Sequence, residues 1–198
     1  MDLADVLRRR KMVRNYTDEP VPREVVERIV ARGRKAPSGG FSQGLRMVVV
    51  TDEVTRHRIA GLAGEEEYVG MGFEPWISRA PVHVVVATRE DDYHDRYREP
   101  DKLQQDGTEI EWPVPWWWVD AGKATMVLLL AAVDEGLGAG LFGLDPAGND
   151  GLRGLLGIPD DVAVVGVVTI GHAAPETRSG SRRRGWKPLE EVVRWERW

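Results

Sequence analysis

Between Asp120 and Gly136 the chain carries a helix-length segment, Ala121–Glu135, that is apolar nearly all round. Its middle, Met126-Val127-Leu128-Leu129-Leu130-Ala131-Ala132-Val133, presents no polar face. A helix of that kind must be covered on every side, so it belongs at the heart of a fold rather than on its surface. Asp120 reads as its N-cap and Gly136 as the glycine that ends it. The apolar run is far too short to span a bilayer, and the segment after Leu7 is at once basic, which is unlike a signal core. The expectation is one domain over residues 1–198, built around this helix, in the reducing cytoplasm.

The elements flanking the helix follow from periodicity and punctuation. Pro22 opens a helix with an apolar stripe of Val25, Val26, Ile29 and Val30, and Gly33 lies near its end. Residues 36–44 are a loop by composition, and Leu45–Thr51 reads as a buried strand. Glu53–Ala63 reads as a short helix, while 64–76 has no clean period. Ala80–Ala87 is a second strand, in which His83 reads as a core histidine and not a ligand. Residues 89–118 are polar, acidic and aromatic, too long for an ordinary connection, and read as a lid or a partly helical excursion. Its end, Trp112-Pro113-Val114-Pro115-Trp116-Trp117-Trp118, is either packing over a core edge or an aromatic wall over a flat ligand. Leu137–Leu144 is a third strand containing glycines, Asn149–Leu156 a short helix, and Val162–Ile170 a fourth strand. Gly138-x-Gly140-x-x-Gly143 spells a dinucleotide fingerprint but follows a helix, whereas that motif needs a strand before it and a helix after it. The pattern is an α+β fold: a central mixed or antiparallel sheet of about four strands wrapped by helices.

Charge narrows the function. Arg8, Arg9, Arg10, Lys11 and Arg14 crowd one short stretch, and Arg182, Arg183 and Arg184 another, in a chain of net charge −5. Clustered cations in an acidic chain suit one small anion, such as a phosphate, better than a nucleic acid. With no cysteine and no histidine spacing of the ligand kind, no metal is expected.

At this point the chain resembles the flavin-dependent nitroreductase family over nearly its whole length. Arg10-Lys11-Met12-Val13-Arg14-Asn15-Tyr16 is similar to the family opening R-x-S-x-R-x-F. Ala36-Pro37-Ser38-Gly39 followed by Ser42-Gln43 is similar to A-P-S-x-x-N-x-Q-P-W, and the helix from Asp120 to Gly136 with Gly138 and Gly143 resembles the buried helix and following strand. Arg182–Arg184 before Pro188-Leu189-Glu190-Glu191-Val192-Val193 resembles the basic C-terminal close. The resemblance implies an FMN-binding homodimer with the flavin at the interface. Arg10 and Arg14 would hold the phosphate, joined by Arg182 or Arg184, which share a face if that segment is extended. Lys11 and Met12 would offer backbone contacts, Pro37, Ser38, Gly39 and Gln43 would belong to the loop packing on the flavin from the partner, and Gly143 and Leu144 would present N–H groups near flavin N5. Four departures stand out: Met12 replaces the serine, Phe41 the asparagine, Gly44-Leu45 the P-W, and residues 73–76 carry no evident pyrimidine-binding set.

The implied activity is transfer of reducing equivalents from NADH or NADPH through FMN to a nitroaromatic, quinone or similar flat acceptor, by a ping-pong mechanism with no catalytic side chain. Trp116, Trp117 or Trp118 would cover the channel. The rival readings are a flavin-binding sensor or storage protein without turnover, and an interaction domain whose cations grip an acidic partner.

Overall fold

The computed structural model describes residues 1–176 and 184–198. Four strands, β1 (Leu45–Val50), β2 (Val82–Arg89), β3 (Gly138–Phe142) and β4 (Val162–Gly171), form one sheet in the order β1-β2-β4-β3, with every pair antiparallel. Of the mixed and antiparallel sheets open to the sequence, the antiparallel one is present. The two inner strands are β2 and β4, and they are the Val/Ile-rich runs because both of their faces are covered. A bulge at Val86/Ala87 shifts the β2–β4 register by one residue.

The helices are α1 (Leu3–Arg9), α2 (Arg23–Gly33), α3 (Glu53–Leu62), α4 (Glu65–Gly70), α5 (Trp76–Arg79), α6 (Asp91–Tyr97), α7 (Trp116–Asp134), α8 (Pro146–Leu156) and α9 (Leu189–Val192). The apolar helix is α7. It lies between the sheet and α2, where Leu128, Leu129, Ala132 and Val168 share a core with Val26 and Ile29. By length and composition α7 could cross a membrane, but 56% of its apolar window is buried inside this fold. Gly33 is the last residue of α2, as its place in the sequence indicated, and it also serves packing: a Cβ there would sit 2.6 Å from Leu128 Cδ2. Arg28 and Arg32 reach from α2 to Glu135 and Asp134 at the end of α7.

Three expectations change. The helix begins at Trp116, four residues before Asp120, so Asp120 is an internal residue and not the cap. The segment without a period, 64–76, contains α4, a turn and connection over 71–75, and the first residue of α5. The short helix expected at Asn149 starts at Pro146, capped by the Asp145 side chain on the Gly148 N–H.

A fifth extended segment lies along the sheet edge. Met12 bridges Ala139 in parallel and Tyr16 bridges Ala173 antiparallel. The Val13 N–H donates to the Ala139 carbonyl at 2.9 Å, and the Thr17 N–H to His172 at 2.9 Å. The glycines of β3 exist for this crossing. A Cβ on Gly140 would lie 2.5 Å from the Val13 carbonyl oxygen, and one on Gly138 would lie 2.8 Å from Val13 Cγ2. Gly140→Ala should therefore destabilise the fold by about 1–3 kcal/mol, the scale of an overpacked core. Urea unfolding of that variant checks the value, and an unchanged midpoint would mean that residues 12–14 yield freely.

His83 is fully buried and its Nε2 donates to the Ile77 carbonyl at 2.8 Å, while Nδ1 has no partner. Burial pushes its imidazole down to about 4. An unfolded histidine titrates near about 6.5, so the unfolded chain takes up a proton that the fold refuses. Stability should fall as pH drops from about 6.5 to about 4, by on the order of 3 kcal/mol. His83→Gln should flatten that part of a stability-against-pH curve, and a curve of the same slope would assign the loss to other groups.

Candidate functional site

The edge segment sets the first half of the site. Residues 11–14 run extended, so alternate side chains face opposite ways. Lys11 and Val13 line a small recess, whereas Arg14 turns into a cavity of about 370 Å3 with Tyr68, Glu74, Trp76, Phe142 and Gly143. Arg14 and Gly143, distant in sequence, thus meet across one space. A Cβ on Gly143 would touch nothing of its own chain within 4 Å. Gly143 follows β3 rather than lying inside it, and its missing side chain leaves backbone open to the cavity. Arg79 stands beside this space, bonded to Glu74 at 2.8 Å and to Asn15 Oδ1 at 3.0 Å.

A carboxylate that sequence reasoning did not single out sits among these cations. Glu176 accepts the Arg14 N–H at 2.6 Å and the Lys11 ammonium at 3.0 Å. Nothing in its local sequence marks it, because its partners lie more than 160 residues away. The Lys11 ammonium and the Arg14 N–H thus meet anionic oxygens of the chain itself.

The second half is the loop from Pro37 to Gln43, which lines another cavity, of about 650 Å3, with Arg34 and Lys35 at its rim. This loop is strained and tightly held. Phe41 (φ 62°) and Gln43 (φ 56°) both adopt the left-handed region, at a cost of about 1 kcal/mol or more each. The Ser38 hydroxyl accepts the Gln43 N–H, the Ser42 hydroxyl donates to the Gly39 carbonyl, and Arg96 Nε donates to the Gly40 carbonyl. The main anchor is Asp120, buried at 5% exposure. It accepts the Gly39 N–H at 2.8 Å, the Tyr93 hydroxyl at 2.9 Å and the Lys123 ammonium at 2.7 Å. Burial, with the Asp120 carboxylate next to it, pushes the Tyr93 phenol well above its ordinary range, so it stays a donor.

The remaining expected residues fall as follows. Arg10 is the C-cap of α1 and donates its N–H to Val6. Met12 packs its side chain on the main core, which is why the serine of the family pattern can be absent without leaving a gap. The Leu144 side chain packs on the core between β2, β4 and α8 rather than into the cavity. Arg182 lies outside the described residues, as does Arg183, and Arg184 is exposed. The aromatic end of the excursion is mostly internal packing. Trp112 and Trp117 pack edge-on or tilted among Tyr93, His94 and Tyr97, and Glu109 ties Trp112 Nε1, His94 and Arg98 together. Only Trp116 and Trp118 of the three consecutive tryptophans face outward.

A family model, the nitroreductase family, matches residues 7–172. The chain belongs to the nitroreductase family. Among curated relatives it is 29% identical to an FMN reductase [NAD(P)H] of Bacillus subtilis over 88% of this chain and 66% of that protein. It is 26% identical to an iodotyrosine deiodinase of Nematostella vectensis over 94% of this chain and 72% of the other. Among solved structures, the oxidoreductase YcnD of Bacillus subtilis superposes with a TM-score of 0.75 at 26% identity, covering 100% of this chain and 75% of that one. A nitroreductase family protein of Streptococcus pneumoniae shares the fold with a TM-score of 0.75 at 20% identity, covering 98% and 99% of the two chains. The nitroreductase fold accounts for the antiparallel sheet wrapped by helices with α7 at its centre.

In this member of the family, Asp120 is the support of the strained loop. Asp120→Ala should cost about 1–3 kcal/mol, the price of leaving the Gly39 N–H and Tyr93 hydroxyl without their acceptor. Asp120→Asn, which keeps one acceptor oxygen, should cost less. Denaturant unfolding of the two variants separates them, and equal losses would show that the charge, not the acceptor, carries the effect.

Proposed function

We propose that this protein is an FMN-dependent NAD(P)H oxidoreductase that acts by a ping-pong mechanism on nitroaromatic, quinone or similar flat acceptors, as a one-domain subunit of a homodimer. The observation that carries the reading is the meeting of Arg14 with the open backbone of Gly143 in one cavity. That pairing fits a ligand with an anionic end and a flat end. Similarity to an FMN reductase supports the same choice.

When bound, FMN would supply the redox chemistry, taking reducing equivalents at N5 and passing them to the acceptor. The chain's part is to bind and orient. Arg14, with Arg10 and one of the C-terminal arginines, would hold the phosphate, and residues 143–144 would place N–H groups toward N5. The loop Pro37-Ser38-Gly39 with Gln43 lines a different cavity from Arg14. Two copies arranged face to face would bring one copy's loop to the other's cavity. An exposed apolar stripe on α7, made by Trp116, Val119 and Met126, supports such an arrangement, since these residues follow helical spacing and lack cover in the single chain.

Two measurements test this. The spectrum of purified protein should show bound flavin that bleaches with NADH or NADPH and recovers with a quinone. Bound flavin that no pyridine nucleotide bleaches would favour a sensor or storage role. Arg14→Ala should weaken FMN by about 1.5–3 kcal/mol, the worth of a charge-assisted hydrogen bond. Riboflavin, which lacks the phosphate, should lose little. Equal losses for both ligands would place Arg14 in folding instead.

A further inference from the structure

The cavity beside the 37–43 loop has features that flavin binding does not require. Phe41 stands where the family pattern has asparagine, and in the single chain the residue is 74% exposed. A large apolar ring held out into solvent is unfavourable. Here the backbone beneath it is also left-handed, and hydrogen bonds within the loop and with the side chains of Asp120, Arg96 and Arg46 keep it from relaxing. A loop held in this way keeps the residue that carries the ring in one place, where the ring can meet something flat.

Next to it are two cations, Arg34 and Lys35. Arg28 and Arg32, on the same helix, pair with Glu135 and Asp134. Arg34 and Lys35 pair with no carboxylate among the described residues, are exposed, and line the cavity together with Phe41 and Gln43. A position near a helix C-terminus accounts for a cation there, but not for two that border the same cavity as an exposed ring. The acidic group lining this space is Asp120, and Lys123 neutralises it at 2.7 Å.

We propose that this cavity selects the acceptor: it takes planar aromatic molecules carrying a carboxylate or sulfonate, with the ring on Phe41 and the anionic group between Arg34 and Lys35. The proposal rests on the oxidoreductase reading and adds the substrate class to it. A ring alone would bind a neutral quinone as well as a charged one. The cations make the difference, and their contribution at an exposed rim falls as salt rises.

The test uses the purified full-length protein loaded with FMN. Calorimetry with naphthalene-2-sulfonate and its neutral sulfonamide, both redox-inert, reads binding without turnover. The sulfonate should bind about tenfold more tightly at low salt, a gap of about 1.4 kcal/mol, and the preference should shrink in high salt. In the double variant Arg34→Ser/Lys35→Ser the preference should vanish, and in Phe41→Asn both ligands should weaken together. Reoxidation by naphthoquinone-2-sulfonate against menadione should show the same change in the ratio of kcat/KM. No preference in the native protein, or a preference that survives the double variant, would overturn the proposal. So would a loss confined to NADH or NADPH, which would give the cations to the nucleotide. A Phe41→Asn protein that sediments as monomers with ligand affinity intact would place Phe41 at a subunit contact and also overturn it. The bleaching experiment stands apart: flavin that NAD(P)H never bleaches removes the oxidoreductase reading, while sulfonate binding still reports on the cavity.

Discussion

The position of Arg14 depends on a backbone crossing. The segment from Lys11 to Thr17 lies along β3 and the end of β4, held by the Val13 N–H on Ala139, the Thr17 N–H on His172 and the Ala174 N–H on Asn15. Buried Tyr16 locks it further, sharing a 2.8 Å hydrogen bond with Thr169 Oγ1. Close approach of two backbones requires strand residues without side chains, and Gly138 and Gly140 provide that. Gly143, three residues on, is different in kind, since nothing of the chain fills the space above it. One glycine-rich stretch thus serves packing at one end and an open cavity at the other.

Helix α7 supports both halves of the site. Its buried face packs on the sheet that carries β3 and on α2, so it fixes the frame in which Arg14 and Gly143 meet. Its Asp120 fixes the strained loop, turning a carboxylate into a junction between the loop, Tyr93 and Lys123. A buried carboxylate is costly unless both of its oxygens find donors, and three donors meet that need here. The backbone strain at Phe41 and Gln43 persists because the surrounding bonds over-determine the loop. The two cavities are therefore linked mechanically through one helix, although each is lined by its own residues.

The acidic excursion is partly helical, one of the two forms its composition allowed. Residues 89–118 have no period, yet they contain α6 and a closed network around Glu109. The clustered aromatics left packing over a core edge and a wall over a flat ligand equally open. Trp112 packs edge-on against Tyr93, His94 and Tyr97, and Trp117 tilts against Tyr93 and His94, a cluster assembled from side chains on α6, on the following loop and on the first turn of α7. Aromatic packing of this kind depends on which helix faces meet, and sequence spacing does not record it.

The sequence by itself determined the elements and their class. Strand runs, the apolar helix, the loop at 36–44 and the family motifs are local signals, written in hydrophobic period and in proline and glycine positions. It also determined which cations belong together in the opening motif. The tertiary structure alone decided what those residues face. It set Arg14 against Gly143, put Glu176 on the Arg14 N–H, moved Asp120 from a helix cap to a buried anchor, and separated the loop cavity from the Arg14 cavity. It also showed that α7, apolar nearly all round in sequence, leaves the stripe of Trp116, Val119 and Met126 uncovered. The reason is physical. Hydrogen bonds along a helix or strand join near neighbours and leave a pattern in sequence, whereas contacts across the sheet edge join residues more than a hundred positions apart and depend on strand order, register and twist.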